Sequence, residues 1–271
     1  MRKIKWMMFL TLAFSVVAQA ETDIMGVKVY TTLDELVDPA NAAVLVLDMQ
    51  NAAISTEGSF ARADKSGEAD PKAHKIRPEY IQPVQNLSRF LDAAREAGVC
   101  VVYLEYIHEN EQGKMMVPAS YLWRYRDAPW LVRTKKGTWE AQTITELAPR
   151  QGDLVFTKYR ENGFHGTLLH EYLRDRNINS VLLTGTSAAK SLFMTAVGGY
   201  SRGYYPVWVT DCLCLEQEQD QKWKDWLKLP FPWHTSEEII AVWKGMEGPT
   251  KALDEKLTGT NGRKTEGNRK P

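Results

Sequence analysis

AVLVLDMQN, residues 43–51, runs apolar for five positions and stops at Asp48. An uninterrupted apolar run is what a central strand of a parallel sheet needs, because helices cover it on both faces. A strand with one wet face would alternate instead. The carboxylate that ends the run therefore stands at the carboxyl edge of a sheet, where parallel α/β folds bind their ligands.

Outward from this strand the rhythm recurs. Ile81, Val84, Leu87, Phe90, Leu91 and Ala94 follow three- and four-residue steps, a helix from Tyr80 to Ala97 that Gly98 closes. VCVVYLEY, residues 99–106, is the next strand. Leu154–Thr157 reads as a strand, and Thr167–Arg176 as a helix with Leu168, Leu169 and Leu173 on one face. Ser180–Thr184 is a strand, followed by a Gly185 turn into a helix through Tyr200. Tyr205–Val209 is a strand ending near Asp211. Thr235 or Ser236 caps a last helix through Trp243. Strands alternating with helices predict a three-layer α/β/α fold around a parallel six-stranded sheet. Two stretches break the rhythm: 51–78, polar and aperiodic, and 109–150, rich in Trp, Tyr, Arg and Pro. Long loops in compact domains usually carry sites.

The two ends differ from the middle. Arg2, Lys3 and Lys5 precede an apolar run from Trp6 to Val17, and Ala18-Gln19-Ala20 stands before Glu21. That is the pattern of a cleaved secretory signal over residues 1–20. The run is too short to cross a bilayer core of ~30 Å, so no stable membrane anchor is expected. The reading places the protein in the periplasm or outside the cell. Residues 21–40 read as an N-terminal arm, 41–248 as the domain, and 249–271 as a disordered tail of Lys, Thr, Gly and Asn. The formal net charge is zero, which gives nucleic-acid binding no electrostatic support. The three cysteines, Cys100, Cys212 and Cys214, are too few for a disulfide framework. Cys212 and Cys214 read as small buried residues near a strand end.

Three polar residues fall at or just past strand ends: Asp48, Lys158 and Ser191. A carboxylate, an ammonium and a hydroxyl can converge there. In these positions the chain resembles the isochorismatase-like (cysteine hydrolase) family. VLVLDMQN at 44–51 resembles its first block. GDLVFTKYRENGFHGTLLHEYL at 152–173 resembles the second, and VLLTGTSAAKSLFMTAVGGYSRGYYPVWVTD at 181–211 the third. The resemblance implies sheet order 3-2-1-4-5-6 and an assembly of identical subunits. It implies hydrolysis of a C–N or C–O bond in a small molecule: an amide, ureide, ester or vinyl ether. Asp48 takes the place of the acid/base, and Lys158 that of the lysine paired with it. Thr186-Ser187 falls where the family often has a cis peptide that aims backbone N–H groups at a developing oxyanion.

The departure is at the nucleophile. Six residues after Gly185 stands Ser191, where amidase members carry cysteine. A thiol is readily driven to thiolate beside a lysine, whereas a serine hydroxyl needs a well-placed base as it attacks. Three readings stay open. Ser191 attacks a carbonyl with Asp48 as base; or Asp48 acts as an acid without a covalent intermediate; or the site is a ligand-binding pseudoenzyme.

Other residues complete the expectation. Arg160, two past the lysine, can fork onto a substrate carboxylate or equally be a surface arginine. Trp123, Trp130 and Trp139, with Tyr121 and Tyr125, can line a pocket or equally bury a subunit interface, and Thr186 and Ser187 are expected to touch substrate. Phe164 reads as core. Nicotinamidase-like members hold zinc with an Asp-x-His near the end of the second strand. Here Tyr106 stands in the aspartate position, so His108 reads as a polar loop residue. Zinc needs three or more protein ligands, so no metal is expected, and no organic cofactor is implied.

Overall fold

The structure, a computed structural model, describes residues 23–61, 69–127, 134–215 and 231–245. The expected leader, the expected tail and Trp130 lie outside the described residues. The first elements are a short hairpin, β1 (Asp23–Ile24) and β2 (Val27–Lys28), and α1 (Leu33–Val37). The apolar run forms β3 (Ala42–Leu47), and α2 (Asn51–Ile54) follows. Next come α3 (Ile81–Glu96), β4 (Cys100–Tyr106), α4 (Ala119–Arg124) and β5 (Leu154–Lys158). The rest are α5 (Leu169–Asp175), β6 (Ser180–Gly185), α6 (Phe193–Tyr200), β7 (Tyr205–Leu213), β8 (Trp233–His234) and α7 (Ser236–Trp243).

Among the described residues, six strands make one parallel sheet in the order β5-β4-β3-β6-β7-β8. Counted from its first strand, that is the expected 3-2-1-4-5-6. β3 is buried along its whole length, as its unbroken apolar run requires. One face of the sheet packs under α3, α1 and α7, through Val84, Leu87, Phe90 and Ile239. The other packs under α5 and α6, through Leu169, Leu173 and Ala196. Phe164 is in that second core, and Cys212 and Cys214 are buried in the first.

The segment expected as an arm does more than precede the domain. Thr32 and Glu35 cap α1 reciprocally, and Leu36 and Val37 are buried in the first core. Trp243 Nε1 donates to the Val37 carbonyl at 2.7 Å, which ties α1 to α7. Of the two residues expected to cap α7, Thr235 does so, with Glu238 completing the box. Ser236 instead donates its N–H and hydroxyl to the Asp211 carboxylate at 2.7 and 2.6 Å.

Register decides where the strand-end residues fall. Leu47 pairs with Leu104 on one side and Gly185 on the other, and Tyr106 pairs with Lys158. Gly185 has φ +102°, and a Cβ there would collide with the Leu47 backbone. Only glycine lets β6 turn away so close to β3.

Candidate active site

The carboxyl edge of the sheet carries a cavity of about 280 Å³. Asp48 and Ser191 form part of its floor. Asp48 is the first residue past β3, and its φ of 54° is a left-handed conformation that Asp tolerates better than most residues. Its N–H donates to the Leu104 carbonyl at 3.0 Å, which fixes the turn. Ser191 lies in a π-helical turn, Ala188–Leu192, between the end of β6 and α6. Such turns recur at functional sites. The Thr186-Ser187 bond is cis, and both residues line the cavity.

Lys158 is the last residue of β5 and is 0% exposed. Its side chain reaches past β4 with Nζ over the Tyr106 ring, 4.0 Å from the centroid. Nζ is 3.0 Å from Asp48 Oδ1 and donates to Oδ2 at 3.2 Å. It also donates to Ser191 Oγ at 3.0 Å and to the Arg160 carbonyl at 3.3 Å. An ammonium has three protons, and carboxylate, hydroxyl and carbonyl occupy them. With its oxygen accepting from Lys158, the Ser191 hydroxyl keeps its own proton free for a base, and the same Nζ bridges it to the Asp48 carboxylate.

Burial sets the electrostatics. Loss of water raises the Asp48 pKa, against the lowering pull of the Lys158 charge, of its hydrogen bond and of the nearby Ser191 hydroxyl. The same burial lowers the Lys158 pKa, against the Asp48 charge. Both shifts bring the pair closer to sharing a proton, and a carboxylate of raised pKa is a better base.

Aromatic residues build the wall. Tyr106, Tyr121 and Tyr125 follow one another at centroid distances of 5.7 and 5.0 Å, and His108 packs at a tilt against Tyr106 and Tyr121. His108, expected as a polar loop residue, is buried and lines the cavity. Its Nδ1 accepts from the Thr134 N–H at 3.3 Å. A backbone N–H can only donate, so Nε2 carries the proton and donates to the Tyr121 hydroxyl at 3.2 Å. Burial, with the charge of Lys158, pushes the His108 pKa down to about 4. Phe60, beyond α2, and Arg77 and Tyr80, just before α3, also line the cavity.

Three expected substrate contacts are elsewhere. The Arg160 guanidinium donates to the Met116 and Tyr159 carbonyls, at 2.8 and 2.7 Å, and does not line the cavity. These two bonds, both from Nη1, hold the loop after β5 to the β4–α4 loop and keep the guanidinium away from the cavity. Trp123 is 69% exposed beneath the Arg126 guanidinium, on the outer side of α4. Trp139 stacks edge-on with His74 outside the cavity, and its carbonyl accepts from Asn51. The sequence reading left out Gln50, Phe60, Arg77 and Lys190, all lining residues. Lys190 alone carried a signal, as a cation beside the nucleophile position. Among the described residues no group of three or more His, Cys, Asp or Glu is placed to hold a metal ion. Among the same residues no helix is long and apolar enough to cross a membrane.

Residues 42–225 match the isochorismatase domain. The chain belongs to the isochorismatase family. It is 30% identical over 185 residues to the ureidoacrylate amidohydrolase RutB of Agrobacterium fabrum, covering 64% of this chain and 75% of that one. The RutB of Enterobacter sp. strain 638 is also 30% identical, over 183 residues and the same shares. Among solved structures, a cysteine hydrolase from Pseudomonas syringae pv. phaseolicola superposes with a TM-score of 0.61 at 21% identity. The match covers 78% of this chain and 95% of that one. N-carbamoylsarcosine amidase from Thermoplasma acidophilum gives a TM-score of 0.56 at 24% identity, over 73% and 97%. These structures share the fold of this isochorismatase-like hydrolase.

Proposed function

We propose that this hydrolase cleaves the C–N bond of a small amide or ureide, with Ser191 as nucleophile and Asp48 as proton carrier. The observation that carries the reading is Lys158 Nζ, within 3.0 Å of both Asp48 Oδ1 and Ser191 Oγ at the floor of the cavity. The ureidoacrylate amidohydrolases at 30% identity point to the same bond type.

Ser191 Oγ attacks the carbonyl carbon while Asp48 takes the hydroxyl proton. Asp48 passes that proton to the leaving nitrogen as the C–N bond breaks, leaving an acyl group on Oγ. Water then attacks the acyl carbon, gives a proton to Asp48, and Asp48 returns it to Oγ as the acid leaves. Lys158 keeps its proton throughout and lowers the cost of negative charge on each partner in turn. Serine suits this site only because burial makes Asp48 more basic.

The test is a hydrolysis screen of the protein from Glu21 onward against amides, ureides and esters, with released amine as readout. Amine release that Asp48→Asn abolishes supports the proposal. Ester cleavage without any amide or ureide cleavage contradicts it. From the pattern of residues 1–20 we also propose action outside the cytoplasm. A processed N-terminus at Glu21 is expected, and an intact Met1 on the folded protein would contradict it. The resemblance further implies self-assembly, which sedimentation velocity reads directly.

A further inference from the structure

The charges that line the cavity do not cancel. Asp48 is 3.0 Å from Lys158. Arg77 is 2.7 Å from Glu79, and Glu161 is 3.3 Å from Arg124. His108 is neutral, with its pKa pushed down to about 4. The remaining charged lining residue is Lys190. Its Nζ donates to the Tyr125 hydroxyl at 2.9 Å and lies 5.4 Å from that ring's centroid. Among the described residues no carboxylate pairs with it. Lys190 directly precedes Ser191, so its ammonium and the nucleophile enter the cavity from the same turn.

We propose that Lys190 is a specificity-determining residue that binds a carboxylate on the substrate, so that the substrate is an anionic ureide or amide. The proposal rests on the C–N hydrolysis reading for its scissile bond, but not for its anion. A half-buried ammonium without a counter-ion draws anions into a concave site, because low-dielectric walls concentrate its field. A neutral hydroxyl and a ring face hold the ammonium without cancelling its charge, so an incoming carboxylate gains a charge-assisted hydrogen bond. Arg160, held by its Nη1 to the Met116 and Tyr159 carbonyls, does not line the cavity.

The experiment compares two probes on the full chain: β-ureidopropionate, and hydroxypropylurea, which keeps the ureide and replaces the carboxylate with an alcohol. The readout is the ratio of the two kcat/KM values, which is internal to one protein sample and immune to partial misfolding. Wild type is expected to favour the carboxylate by about tenfold to a hundredfold, the size of one charged hydrogen bond. In Lys190→Met the ratio falls toward one, Lys190→Arg keeps most of it, and Lys190→Glu inverts it. Tyr125→Phe, which frees the ammonium from its tether, lowers the ratio by less. If neither probe is turned over, hydrolysis of simple ureides fails as a reading. The same two probes then serve as ligands in titration calorimetry, where the carboxylate preference is read from Kd. A wild type without that preference, or a Lys190→Met that retains it, overturns the proposal.

Discussion

The floor of the cavity and its wall are built differently. Asp48, Lys158 and Ser191 hang from the end of β3, the end of β5 and the turn after β6. The parallel register places the ends of these strands, and β3 at the centre is hydrogen-bonded to β4 on one side and β6 on the other. Most of the wall comes from outside the strands: Phe60, Arg77 and Tyr80 before α3, and His108, Tyr121 and Tyr125 after β4, with Tyr106 at the very end of β4. A rigid sheet holds reacting groups to the tolerance that chemistry needs, while loops can change shape and charge without disturbing them. Floor substitutions should therefore remove turnover, and wall substitutions should change which molecules are accepted or how the fold answers to pH.

The largest effect is expected at Asp48. Asp48→Asn keeps the size of the side chain and loses the base, so kcat/KM should fall about 10³-fold, within the usual range for general acid–base groups. An unchanged circular dichroism spectrum would show that chemistry and not folding was lost.

Lys158→Met comes next and separates stability from chemistry. It leaves a buried carboxylate without its counter-ion, which costs about 3–5 kcal/mol. Urea unfolding should show that loss. Adding Asp48→Asn to the same chain should recover part of it, since no charge is then stranded. Equal stability of the single and double variants would break the claim that the pair is coupled.

On the wall, His108 gives a pH signature. Its pKa is near 6.5 when unfolded and about 4 when folded, so the unfolded chain binds more protons between those values. Stability is fully present above pH ~6.5 and drains as pH falls toward ~4, by about 3 kcal/mol at 1.36 kcal/mol per unit. His108→Asn should flatten that part of the stability profile. A smaller effect returns to the floor. Because burial raises the Asp48 pKa, the acid limb of kcat/KM should lie above the ordinary carboxylate range near ~4. Activity should rise with pH through that limb as the base loses its proton.

The same division explains what could be read in the sequence. β3 announced itself because a strand covered on both faces must be apolar throughout, and its terminal Asp48 marked the ligand-binding edge. Lys158 and Ser191 stand at fixed distances from such strands, so spacing and family resemblance located them. β8 is two residues long, too short for any period to show. The wall has no period at all, and composition misled there. Trp123 and Trp139 have the aromaticity of pocket residues, yet Trp123 faces solvent and Trp139 packs on His74. Arg160 has the charge for a carboxylate, but backbone carbonyls bind its Nη1 and keep it out of the cavity lining. His108 became buried through Thr134 and Tyr121, both distant enough in sequence that local reading could not pair them.

The central claim is that serine does the work of the family's cysteine, and Ser191→Ala tests it most directly. Its amide or ureide hydrolysis should be measured beside wild type and Asp48→Asn, with intact mass recorded after acid quench. The account predicts that Ser191→Ala loses about 10³-fold in kcat, on the scale of other groups that act in the transition state. It also predicts an acyl adduct on wild type that the variant lacks. Ser191→Ala turning over within about threefold of wild type while Asp48→Asn is inactive would contradict it. Water would then attack directly, and Ser191 would only shape the floor.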